Sequence, residues 1–369
     1  MPTVLHLNTE SGWRGGEAQT LYLADGLRRR GHLSIVVAPP DAPLTRRATA
    51  AGIAVEPVPM RGEWDLRASR RIAEVVRDRR VDLLHYHTAH AVGLGTLASL
   101  RSGRRPAVAA RRVSFGLRGF GLSRLKYTWR VDRIIAVSEA IRRGLIAQGI
   151  AASRVVTIHS GLDPHRFAQG NRTRFRTTLS TSVPDWPEDA WLVGSAGHLA
   201  AHKGMDLFLR ACAQAAIDLP EARFVVVGGG KESSDLRALA DRLGIAQRVH
   251  FAGFRDDMPD VLAGLDLFVL ASTSGEGSPA VLKEALAAGL PVLASALDGV
   301  EEIIEDSLHG LLSPPGDAPA LARGIVRMSR DGALRSRMVG AGRLRAVEFT
   351  IDRMVEHTAE VYATLGVRG

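Results

Sequence analysis

Short runs of Val, Ile, Leu and Ala recur along the chain, and longer stretches with amphipathic helical spacing separate them. That alternation is what a parallel sheet demands, because each crossover must carry the chain back over one face of the sheet and cover it. The segments VLHL (4–7), LSIVVA (33–38), VDLLHYH (81–87), AVAARRV (107–113), RIIAVS (133–138) and VVTIHSG (155–161) read as strands of one sheet. WLVGSAG (191–197), RFVVVGG (223–229), RVHFAG (248–253), LDLFVL (265–270) and LPVLAS (290–295) read as strands of a second. A helix is expected over 17–30, stopped by Gly31, and the last stretch, 335–365, reads as helical. Residues 162–190 are polar and lack a clear period, so they read as a connection plus a surface segment. The expected fold class is α/β, with two Rossmann-like, doubly wound parallel-sheet domains facing across a cleft. The expected domains are 1–165 and 166–345, with a terminal helix over 346–369 packing back on the first; 369 residues suit two domains of roughly 150–200 residues. In such sheets ligands bind beyond the carboxyl ends of the strands.

Composition removes several classes. No apolar run reaches the ~18 residues of a membrane span. The N-terminus, MPTVLHLNTESG, has no basic region before its short apolar stretch, so no signal peptide is expected. The single cysteine, Cys212, excludes an internal disulfide and a cysteine metal cluster, and it reads as a core thiol on a helix. A cytoplasmic location follows as the expectation. The net charge of +9 is unevenly spread: residues 1–170 carry 27 Lys+Arg against 13 Asp+Glu, and residues 171–369 carry 21 against 26. Twelve of the basic residues fall between 101 and 143. Such a face suits an anionic membrane surface, an anionic glycan or nucleic acid. Aromatic residues within FGLRGFGLSRLKYTWR (115–130) favour peripheral attachment to the inner face of the cytoplasmic membrane. No recognised nucleic-acid module is present, so nucleic acid is not an expected partner.

The densest chemical signal is GEGSPAVLKEALAAGLPVLAS (275–295). Ser278 reads as an N-cap, Pro279 as the first helical residue and Gly289 as the C′ glycine, giving a helix over 279–288. The start of such a helix offers free N–H groups and partial positive charge to an anion. Glu276 lies just outside that end and Glu284 six positions inside Ser278, about 9 Å along the axis. The two carboxylates would bracket a phosphate and accept from sugar hydroxyls. In VGSAGHLAAHKGMDLFL (193–209), Lys203 precedes Gly204 at the end of a strand-to-helix loop, with His198 and His202 nearby, and a lysine there can neutralise phosphate. Gly15 and Gly16 open the helix after the first strand. Neither that loop nor VVVGGGKE contains GxGxxG, so no nicotinamide cofactor is indicated. Asp256 and Asp257 read as a helix cap, and no metal-binding carboxylate pair is expected.

HSGLDPHRF (159–167), GHLAAHKG (197–204), VVVGGGKE (225–232), FAGFRDDMPDVLAGLDLFVLAS (251–272), EGSPAVLKE (276–284), GLPVLAS (289–295), GVEEII (299–304) and HGLLSPPGD (309–317) follow one another in an order and spacing that resemble the retaining glycosyltransferases of family 4, which have the GT-B fold. The resemblance runs over nearly the whole chain. It implies that the first domain binds an acceptor and the second a nucleoside-diphosphate sugar, with a UDP-sugar favoured. It implies that Lys203 and His198 meet the diphosphate, Glu276 the donor sugar and Glu284 the ribose hydroxyls. By the same resemblance the amides around Ser278, Pro279 and Ala280 take phosphate oxygens, backbone near Phe254 meets the base, and Gly16 approaches the diphosphate. Lys203, His198 and Glu276 are the implied catalytic residues, with no metal or other cofactor, and a lipid-linked or cell-envelope glycan such as lipopolysaccharide core is the implied acceptor. Two departures bear on specificity. His198 stands where the family usually has arginine, and Arg111 and Arg112 stand where it often has histidine. Arg111 or Arg112 is therefore expected to address an anionic acceptor, together with His87 from the group His85, His87 and His90. The alternatives are a nucleotide-sugar 2-epimerase of the same fold, a catalytically silent homologue, and a non-enzymatic nucleic-acid-binding protein.

Overall fold

The computed structural model describes residues 1–113 and 122–367. The aromatic and basic segment 115–130 therefore lies partly outside the described residues. The chain divides into two compact units, Met1–Gly161 with Ile351–Gly369, and Leu162–Thr350.

The first unit holds seven parallel strands: β1 (Thr3–Leu7), β2 (Leu33–Ala38), β3 (Ala54–Pro57), β4 (Leu83–Tyr86), β5 (Ala107–Arg111), β6 (Arg133–Ala136) and β7 (Val155–Thr157). They lie in the order β3-β2-β1-β4-β5-β6-β7. Alternation along each strand sends side chains to two faces. Leu5, Leu7, Leu84 and Tyr86 pack in one core. Val4, Leu83, Val108 and Ile135 pack in another, against Leu23 and Leu27 of the helix Gly15–Arg29 and Val355 and Tyr362 of the helix Ile351–Thr364. The second unit holds six parallel strands: β8 (Leu192–Ala196), β9 (Arg223–Val227), β10 (Val249–Gly253), β11 (Leu267–Leu270), β12 (Val292–Ser295) and β13 (Leu311–Ser313), in the order β10-β9-β8-β11-β12-β13. Cys212 is fully buried in its core, and burial pushes the thiol well above its ordinary pKa, as a core thiol requires.

The segment read as a connection departs from expectation. It forms two helices, Pro164–Ala168 and Arg172–Ser182. The second buries only Phe175 and Leu179, four residues apart on one face. Its register is held by Asn171, whose side chain caps the Arg174 amide, and by Arg172 and Arg176, which reach the two carboxylate oxygens of Asp266 at 2.8 and 2.7 Å. Two apolar positions are too few to print a period on the sequence.

Candidate functional site

In the second sheet the strand order reverses between β8 and β11, so crossovers leave these neighbours toward opposite faces. A crevice opens at the carboxyl end of such a pair. Two loops meet there. After β8 the chain passes His198, makes a tight turn over Ala201–Lys203 and enters the helix Met205–Asp218 through Gly204. After β11 it runs through Ala271 to Ser278. The Thr273 amide donates to the His202 carbonyl at 2.9 Å, tying the loops together. The join places the Lys203 ammonium 2.7 Å from Glu276 Oε1. The Ser272 hydroxyl donates to the same carboxylate oxygen at 2.5 Å. Glu276 is thus held in place by a cation and a hydroxyl, and its side chain is only 4% exposed while that of Lys203 is 25% exposed. The lysine is the partner a solvent-borne ligand can reach.

The loop 276–277 lies close over the short helix Asp298–Glu301, where a Cβ on Gly299 would meet the Glu276 carbonyl oxygen at 2.3 Å. Beyond it, the helix Ala280–Ala288 begins one residue later than expected. Pro279 is its N-cap, without a side-chain capping bond, and Gly289 ends it in the left-handed region at φ 73°. Ser278 is therefore not the cap. Its hydroxyl accepts instead from the Lys283 ammonium at 2.9 Å. Lys283 is 1% exposed and lies 5.1 Å over the Phe349 ring. Burial pulls its pKa down to about 7. Burial likewise pushes the neighbouring Glu284 carboxyl up to about 7, against the pull of Arg166 and Lys283. His198 is exposed in its loop, and Phe254 is 62% exposed just beyond the carboxyl end of β10. Asp257 is the N-cap of the helix Met258–Gly264, as expected, but without a side-chain capping bond; its carboxylate pairs with Arg255.

The residues expected at an acceptor site lie in the first unit, whose strand order reverses between β1 and β4. Gly16 is the second residue of the helix after β1, and a Cβ there would touch Arg112 Cδ at 3.7 Å. Arg112 donates to His87 Nδ1 at 3.2 Å, while Arg111 turns toward the Tyr127 ring, 5.9 Å away. His87 is 4% exposed, His85 is 2% exposed and bonded to the Tyr362 hydroxyl at 2.6 Å, and His90 is exposed. Burial holds the His85 and His87 rings well below the ordinary histidine pKa, so they are neutral, and lowers Arg112 to about 10.

Sequence reasoning did not single out Ser272, Lys283 or Gly299. All three stood inside recognised segments, but the roles of Ser272 and Gly299 depend on loops brought together by the sheet order, and that of Lys283 on its burial.

Residues 13–166 match the family model described as Glycosyltransferase Family 4, and residues 179–345 match Glycosyl transferases group 1. A phosphatidyl-myo-inositol mannosyltransferase of Mycobacterium tuberculosis is 30% identical over 374 residues, spanning 96% of this chain and 94% of that protein. The lipopolysaccharide core biosynthesis glycosyltransferase LpsE of Rhizobium meliloti is 36% identical over 158 residues, 43% of this chain and 45% of that protein. Among solved structures, Anabaena Alr3699/HepE in complex with UDP-glucose superposes with a TM-score of 0.88 at 24% identity, covering 98% of this chain and 99% of that one. With both sheets in the matching architecture, the chain belongs to the family 4 glycosyltransferases of GT-B fold, and it is a glycosyltransferase enzyme.

Proposed function

We propose that this enzyme moves a sugar, with retention of anomeric configuration, from a nucleoside-diphosphate sugar to a hydroxyl of an anionic lipid-linked or cell-envelope glycan. The observation that carries the donor half is the Lys203–Glu276 pair, 2.7 Å apart at the switch point of the second sheet and next to the start of the helix Ala280–Ala288. Departure of the diphosphate is the difficult step, and preorganised positive groups aimed at the developing charge usually supply the largest catalytic effect. Lys203 supplies a cation held beside Glu276. The amides at Ala280 and after it supply fixed dipoles. Glu276 and Glu284 accept from hydroxyls of the donor. His198 offers a single imidazole where the family has a forked guanidinium, and contributes less than the arginine it replaces. The departing phosphate takes the acceptor's proton, so neither a protein base nor a metal is required.

The anionic acceptor rests on Arg112 beside Gly16, on the basic first half, and on the printed names of relatives. These act on phosphatidyl-myo-inositol, on D-inositol 3-phosphate, or in lipopolysaccharide core biosynthesis. Among the described residues no helix is long and apolar enough to cross a membrane. Peripheral attachment through basic charge is the proposed mode, and its check is binding to anionic vesicles that weakens with salt.

The test begins with thermal shifts against UDP, GDP and ADP and their sugars, followed by transfer onto membrane extract. One nucleotide series should stabilise the protein, and product should appear only with acceptor; interconversion of the free nucleotide-sugar would identify an epimerase. Lys203→Ala should lower kcat about 10²–10³-fold while leaving the fold intact. Near-normal turnover in that variant removes the assignment.

A further inference from the structure

We propose that His6, His85 and His87 form a binding site for one divalent transition-metal ion of the zinc, nickel and copper class, gated by Arg112. The site lies wholly in the first unit, apart in sequence and in sheet from Lys203 and Glu276. It goes beyond the sugar transfer proposed above, which needs no metal.

The sheet builds the cluster. His85 and His87 are two residues apart and project to one face. His6 is the register partner of His85 on the adjacent strand β1. One ring nitrogen from each residue lies within 4.8 Å of the other two. A metal with Zn–N bonds of about 2.0–2.1 Å would need these atoms about 3.3 Å apart, so the rings must draw in by up to about 1.5 Å. All three rings are at most 4% exposed. Nε2 of His6 and Nε2 of His85 are buried and have no hydrogen-bond partner among the described residues. Buried polar atoms are rarely left so, and a bound ion or water is the usual reason. Three imidazoles with no carboxylate suit transition metals and not magnesium or calcium. Three histidines also leave a fourth position open on zinc.

The surroundings are those of a ligand set. The Tyr362 hydroxyl sits 2.6 Å from Nδ1 of His85. By accepting the Nδ1 proton it leaves the Nε2 lone pair free for a metal. Arg112 does the opposite to His87. Its guanidinium donates to Nδ1 at 3.2 Å, which puts the ring proton on Nε2, where it is shared with Nδ1 of His6 at 3.1 Å. In this arrangement the His87 ring is committed to Arg112, and the guanidinium charge opposes a second cation. Metal binding must therefore displace Arg112. Loading therefore also needs an exchange of tautomer in the His87 ring. It would release the Arg112 guanidinium from His87.

The test uses the full-length protein, stripped with chelator and dialysed against Zn²⁺, with bound metal counted by elemental analysis and its donors read by X-ray absorption. The wild type should bind one zinc per chain through histidine nitrogens, with excess Mg²⁺ unable to compete. His85→Ala should weaken binding at least tenfold, whereas His90→Ala, at an exposed neighbour, should leave it unchanged. Because a buried-histidine variant can fail to fold, Arg112→Met carries a separate test: removing the competitor should tighten zinc binding at least tenfold. Unchanged or weaker affinity in Arg112→Met overturns the proposal. So does zinc that His90→Ala abolishes, or wild-type protein without stoichiometric zinc.

Discussion

Gly204 shows how one residue conditions the donor site. Its φ is 62°, and a Cβ there would lie 1.9 Å from the Ala271 carbonyl oxygen. The glycine therefore allows the Lys203 turn to close onto the loop that carries Glu276. Gly52 has a similar φ of 70° but open space around it. Gly52→Ala should cost only the left-handed penalty, about 1–2 kcal/mol. Gly204→Ala adds a collision with backbone and should cost at least ~3 kcal/mol and displace Lys203; urea unfolding of both variants checks the contrast. Lys283 gives a second residue-scale expectation. With its native pKa near 7 and an ordinary value of 10.5, the unfolded chain binds more protons than the native one between those limits. Stability from this group therefore rises with pH above 7. Glu284 has the opposite sign: its raised pKa means that stability falls as pH climbs from 4.5 toward 7. Between pH 7 and 9 the wild type should gain about 2–3 kcal/mol that Lys283→Met does not gain. Parallel curves in denaturant would refute the buried-ammonium assignment.

At the scale of elements, the central strands were legible because burial on both faces makes each a near-continuous apolar run. The strands that escaped, Ala54–Pro57 and Leu311–Ser313, are short edge strands. AVEP carries a charge and a proline, as an edge tolerates and an interior strand does not. The helix Arg172–Ser182 escaped because its anchors are arginines whose partners lie some 90 residues away. Its apolar contribution is concentrated in Phe175, which is 2% exposed and packs so closely on Gly264 that a Cβ there would come within 2.3 Å of the ring. Phe175→Ala should accordingly destabilise the protein by about 3–5 kcal/mol, although it sits in a segment that reads as a polar connection. A change under 1 kcal/mol by chemical unfolding would show that this helix is not part of the second core. The same limit explains the site. Lys203, Glu276 and Glu284 could be read from loop and helix signals, whereas the Ser272 and Lys283 bonds exist only once strands and loops have met. His6 was invisible as a partner of His85 and His87 because their meeting depends on β1 lying beside β4.

At the scale of the whole chain, the decisive feature is that the first unit is completed by residues from the opposite terminus. Leu162 is bonded to Phe349 and bridged to Thr350, which closes the second unit upon itself, and Ile351 then begins the helix that belongs to the first. That helix lays Met354, Val355, Val361 and Tyr362 over the face of the first sheet formed by Val4, Leu83, Val108 and Ile135. It approaches the helix Gly15–Arg29 so closely that a Cβ on Gly26 would fall 2.4 Å from Val355 Cγ2. Each such side chain contributes roughly 1.5–3 kcal/mol by burial. Four together are comparable with the whole stability of a domain, about 5–15 kcal/mol. A chain ending at Thr350 should therefore lose the fold of the first unit and keep that of the second. Hydrogen exchange by mass spectrometry separates the outcomes. Protection should vanish from β1, β4 and β5 and persist in β8, β9 and β11. A truncated chain that keeps full protection in β4 would mean that the sheet face around His85 is held by the remaining helices alone, and that the terminal helix adds cover without supporting the fold.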